Sequence, residues 1–134
     1  MQILQPPGWA PAKGYANGVA ASGRLVFVAG QVGWNAQQRF EAQDFVGQAR
    51  QALANIVAVL AEAGARPEHI ARMTWYVTDR QEYLASLNAL GAVYRDVIGA
   101  HYPAMSAVAV AGLVEDGARV EIEATAVIPE RSES

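Results

Sequence analysis

Apolar, β-branched positions fill two runs late in the chain, Ser106 to Leu113 and Arg119 to Ile128, either side of Glu115, Asp116 and Gly117. Runs of that length, one introduced by Pro103 and both bounded by Asp-Gly, predict an antiparallel hairpin. In the second run Val120, Ile122, Ala124, Ala126 and Ile128 share one face, and Glu121, Glu123, Thr125 and Val127 the other. On a solvated face the two carboxylates serve solubility; on a covered one, one of them is functional.

Upstream, Met1 to Ala16 is broken by Pro6, Pro7 and Pro11, which exclude a helix and leave an extended arm ending near Tyr15. Val19 to Ala21 and Leu25 to Gly30 read as two short strands around Ser22-Gly23. The second, apolar on both faces, has the pattern of a central strand covered on both sides. Gly30 and Gly33 follow it and permit close backbone approach. Asp44 caps a helix from Phe45 to about Ala63 that Gly64 stops, with Phe45, Ala49, Leu53, Ile56 and Leu60 inward and Gln48, Arg50, Gln51 and Glu62 in solvent. Ile70 to Thr78 alternates as a strand. Asp79 and Glu82 then open a second helix carrying Tyr83, Leu87, Leu90 and Tyr94 on one stripe and closed by Gly99, with Asn88 at the stripe's edge. The order strand, strand, helix, strand, helix, strand, strand predicts one α/β or α+β domain over residues 1–134, with two helices on one face of a single mixed sheet. Two helices leave the other sheet face bare, and a bare apolar face marks an interface between copies of the chain. Glu130 to Ser134 read as a frayed tail.

Composition narrows the function. The 134 residues are 52% hydrophobic and 17% charged, within the globular range, with a formal net charge of −3. That balance offers no basic footprint for nucleic acid or anionic lipid. Without cysteine there is no thiolate nucleophile and no zinc-thiolate site. The start lacks a signal-peptide pattern and no run approaches a membrane span, so the expectation is a cytoplasmic protein without a membrane partner. His69 and His101 sit near element ends, without metal-ligand spacing, and read as surface or capping groups. Neither a phosphate-binding loop nor a nucleophile elbow is present. Glu121 and Glu123 remain as candidates for acid–base work, since desolvation raises a carboxyl's pKa toward a useful range.

The segment Ala29 to Val32 (AGQV), the helix QARQALANIVAVLAEAGA, the strand MTWYVTD, Asn88, the YPAM segment and the terminal VEIEATA together resemble the Rid family (reactive intermediate deaminase, YjgF-like, L-PSP), over nearly the whole chain. The resemblance implies a chorismate-mutase-like, six-stranded mixed sheet with two helices on one face, assembled as a homotrimer. It implies small metabolites bound in clefts between subunits, and hydrolysis of enamines or imines to keto acids and ammonia without a cofactor or metal. Carried over residue by residue, it points to Glu123 as the carboxylate that positions water, and to Tyr15, Ala29, Gly30, Asn88 and Met105 as ligand-contacting positions.

Two of those positions depart from the family pattern. Active 2-imino acid deaminases carry Arg where this chain has Met105, and Met cannot make the bidentate contact with a carboxylate. Ala29 replaces the family's Ser. The resemblance therefore leaves two expectations open: a hydrolase acting on a differently held substrate, or a trimer that binds a small metabolite or a partner without catalysis.

Overall fold

In the computed structural model of the chain, which describes residues 1–130, the long helix forms where its apolar spacing places it. Helix α1 spans Phe45–Glu62. The Asp44 side chain accepts from Gly47 N, and Gly64 takes a left-handed φ of 73° just past the end. Phe45, Ala49, Leu53, Ile56 and Leu60 are buried as their period requires. Gln48 is not in solvent as expected. It is fully buried, because its amide serves backbone groups elsewhere: Nε2 donates to Ala42 O at 3.2 Å and Gly117 O at 2.9 Å, and Oε1 accepts from Arg119 N at 2.8 Å.

The second predicted helix is two. Helix α2, Arg80–Ala85, starts on the Asp79 cap, and α3 spans Leu87–Val97. Ser86 between them leaves helical geometry, and its hydroxyl donates to Glu82 O at 2.7 Å, a local bond that competes with helix continuation. Leu90, Val93 and Tyr94 of α3 are buried against the common core with α1.

Among the described residues six strands are present, divided between two sheets rather than joined in one. Strands β1 (Gln2–Leu4) and β2 (Gly18–Ala20) pair antiparallel with each other, so the expected pairing across Ser22-Gly23 does not occur. The main sheet holds β3 (Arg24–Val32), β4 (Ile70–Val77), β5 (Ala104–Ala109) and β6 (Val120–Ile128) in the order β3-β6-β4-β5. The hairpin expected of the last two strands is likewise replaced: β5 lies parallel to β4 after the helical crossover, and β6 inserts between β3 and β4, antiparallel to both. Alternation had identified the faces of β6 correctly. It carries no information about which strand lies alongside.

β3 is an edge strand of this sheet, not a covered central one. Val28 joins the core under the helices and Val32 is buried, while Leu25 and Phe27 are 55% and 73% exposed. Both helical layers pack on one face, where Met73, Trp75, Val77, Val120, Ile122, Ala124 and Ala126 complete the core. The α+β class stands, with helices on one face of a mixed sheet. Residues 131–134 of the expected tail lie outside the described residues.

Candidate functional site

The arm places Tyr15 beside β5. Ala16 bridges to Ala104 in parallel register, and Ala16 N donates to Pro103 O at 2.9 Å, so the residue before it is anchored to the YPAM segment. Register pairs Met105 with Met73 and Ala107 with Trp75, which turns both toward the helices. A groove of about 540 Å³ results, walled by Tyr15, Met105 and Ala107 on one side and Tyr83, Leu90 and Gly91 on the other. Tyr94 and Tyr102 stack at 5.4 Å within it, and the Tyr94 hydroxyl donates to His101 O at 2.6 Å. Burial, and secondarily Tyr102, holds the Tyr94 phenol well above its ordinary pKa, so it remains a neutral donor. Trp75 also lines the groove, and its buried Nε1 has no hydrogen-bond partner among the described residues.

The other expected positions lie on the bare face of the sheet. Ala29 and Glu123 line a second groove of about 400 Å³ with Phe27, Arg72, Thr74 and Thr125. Glu123 stands opposite Thr74, and its Oε1 accepts from Tyr76 Oη at 2.6 Å. That bond raises the Tyr76 pKa, with smaller contributions from burial and from the charges of Glu123 and Glu121, against an opposing one from Arg72. Gly30 belongs with Glu121: a Cβ at Gly30 would stand 2.3 Å from Glu121 Oε2. Only glycine lets the carboxylate rest there. The register irregularity between Val28 and Gln31 sets Gly30 at this spot.

Four of the six expected residues thus fall into two pairs on different surfaces, Tyr15 with Met105 and Ala29 with Glu123, while Gly30 meets Glu121. Asn88 is exposed on the first turn of α3, beside the groove residue Leu87. Two cations that the sequence reading did not single out, Lys13 and Arg95, line the groove that holds Met105. Their signal was available: Arg95 follows Leu87 and Gly91 at helical spacing. The histidines serve backbone groups as expected, His69 Nδ1 accepting from Arg66 N at 3.0 Å and His101 Nε2 lying 2.6 Å from Ile70 O. Among the described residues no group of three potential metal-ligating side chains occurs, and no helix is long and apolar enough to cross a membrane.

Comparison with known proteins accords with this architecture. The family model described as endoribonuclease L-PSP matches residues 7–128. The RutC family protein slr0709 of Synechocystis is 37% identical over 131 residues, covering 96% of this chain and 95% of that protein. The 2-iminobutanoate/2-iminopropanoate deaminase of Salmonella typhimurium is 35% identical over 113 residues, 84% of this chain and 86% of the relative. Among solved structures, the conserved Rid-family protein YyfB from Yersinia pestis superposes with a TM-score of 0.84 at 34% identity, covering 95% of this chain and 98% of that one. Escherichia coli TdcF with bound serine superposes with a TM-score of 0.67 at 32% identity, covering 96% and 99%. With its mixed sheet, one-sided helices and near full-length matches, the chain belongs to the endoribonuclease L-PSP family, the group of the Rid and YjgF proteins.

Proposed function

We propose that the chain hydrolyses an enamine or imine to a carbonyl compound and ammonia, at a site completed between copies of itself. The observation that carries this reading is the division of the site. Tyr15 and Met105 line a groove on the helix side of the β5 edge, whereas Ala29, Gly30 and the β6 carboxylates occupy the bare sheet face. A neighbouring copy, set with its bare face against this edge, brings the two groups together. Deaminase relatives of about one-third identity support the reaction class.

In the reaction, water oxygen adds to the imine carbon and the C–N bond breaks. A carboxylate takes one proton from the water as its oxygen adds and passes it to the nitrogen, giving a carbinolamine; it then carries the hydroxyl proton to the same nitrogen as the C–N bond breaks, so that the carbonyl forms and the nitrogen leaves as ammonia. Close packing on Gly30 supports Glu121 as that carboxylate. Glu123, the residue implied by the family resemblance, has one oxygen engaged by Tyr76 and positions the neighbouring wall. No cofactor or metal is required. The specific alternative, binding without catalysis, is favoured by Met105, which removes the family's carboxylate clamp.

The test couples an amino-acid oxidase, as imine source, to semicarbazide trapping. The chain should lower trapped imine, and Glu121→Gln should reduce its rate about 10²–10⁴-fold, the range for a general acid–base group. Loss confined to Glu123→Gln would return the role to Glu123. No turnover by the unaltered protein would leave the binding reading.

A further inference from the structure

The identity of the ligand can be taken further, on the premise that the groove beside β5 is part of the hydrolase site proposed above. Four of the chain's five tyrosines, Tyr15, Tyr83, Tyr94 and Tyr102, line this groove together with Trp75 and Met105. The Tyr94–Tyr102 stack, with planes only 13° apart and one hydroxyl tied to His101 O, presents a fixed aromatic wall. A ligand of two or three carbons leaves most of that wall wet, whereas a ring covers it, and about 540 Å³ accommodates one.

Charge supplies the second half of the argument. Arg95 folds back along α3, its Nη1 lying 3.4 Å from where a Cβ of Gly91 would stand, and both residues line the groove. Neither Arg95 nor Lys13 makes an ion pair among the described residues, where Arg50, Arg66 and Arg119 each have a carboxylate. We propose that the groove takes a small aromatic carboxylate, its ring against the tyrosines and Met105 and its carboxylate on Arg95. α3 then supplies the cation that β5, with Met105, does not.

Isothermal titration of the assembled protein with phenylpyruvate, pyruvate and phenylacetamide tests this. Phenylpyruvate should bind at least about tenfold more tightly than pyruvate, the return from burying an aromatic ring. Arg95→Gln should weaken phenylpyruvate about tenfold and leave phenylacetamide unchanged, and Arg95→Lys should restore part of the loss. Equal affinity for the two keto acids, no phenylpyruvate binding, or indifference to Arg95→Gln overturns the proposal. Turnover is read separately, with the imine formed by phenylalanine oxidation. Arg95-dependent binding without turnover upholds the groove assignment and defeats the hydrolase reading. Turnover of small aliphatic imines without phenylpyruvate binding does the reverse.

Discussion

Two glycines show how the same substitution acts through different neighbours. At Gly30 a Cβ meets the tip of Glu121, 2.3 Å from Oε2, and a side-chain tip can swing away. At Gly33 it meets the backbone of α1, 2.5 Å from Gln48 Cα and from Gln48 O, which cannot. Gly30→Ala should therefore shift stability by less than about 1 kcal/mol while displacing the carboxylate and lowering turnover. Gly33→Ala should cost about 2–3 kcal/mol, the range for overpacking a tight contact. Urea midpoints of the two variants, set beside the trapping assay, decide both. Tyr76 offers a pH reading of the same face. Its bond to Glu123 holds its pKa above the ordinary value near 10. Because the folded value is the higher, this interaction stabilises the protein fully below about pH 10 and is lost as pH rises through the folded value. Glu123→Gln should bring the Tyr76 ionisation back toward the ordinary range. Tyrosinate absorbance, with Tyr76→Phe identifying the band, measures the change; an unmoved titration would show that the bond is not maintained in solution.

At the scale of elements, Gln48 does what no strand does: it ties α1 to the 110–119 segment that leads into β6. Gln48→Leu fills the same space but strands Arg119 N–H and the Gly117 carbonyl, and should lower stability by about 2–3 kcal/mol in chemical denaturation. A loss below half a kilocalorie would mean that water replaces the amide. This residue also marks where sequence legibility ends. The bounds of α1, its Asp44 cap and Gly64 stop, and the two faces of β6 follow from spacing alone, since local period decides which side chains share a side; in β4 the irregularity between Ile70 and Arg72 puts Ile70 in the core against simple alternation. Gln48 could not be found that way, because its partners lie on distant backbone and its polarity mimics a solvated position. Strand neighbours were hidden for a similar reason. β5 and β6 look like a hairpin because Asp116-Gly117 looks like its turn, yet β6 pairs with β3 and β4, chosen by the core that α1 and α3 build. The family resemblance proposed the candidate site residue by residue. The site's division between two surfaces was not legible, since that depends on which side of the sheet each register pair faces.

The molecule as a whole has one finished face and one unfinished one. Helices seal the first, where Ile56, Met73 and Ile122 are fully buried, while Leu25, Phe27 and Val108 remain exposed in the single chain. β3 is also an open edge beside that surface, the kind of feature natural sheets cover. We expect a homotrimer in solution, as the resemblance implies; the proposed division of the site between two surfaces calls for at least a second copy. Sedimentation equilibrium at micromolar concentration should return three times the chain mass of 14.3 kDa. Phe27, 73% exposed and opposite Thr125 on β6, gives the sharper test. It contributes nothing to the core of its own subunit, so Phe27→Asp should leave the single chain folded by circular dichroism while placing a charge in the interface. The variant should sediment as a smaller species and lose turnover together with aromatic-acid binding, although Tyr15, Met105, Arg95 and both β6 carboxylates are untouched. A variant that stays trimeric, or a monomer that keeps full activity, would show that the bare face is not the assembly surface and that each chain carries a complete site.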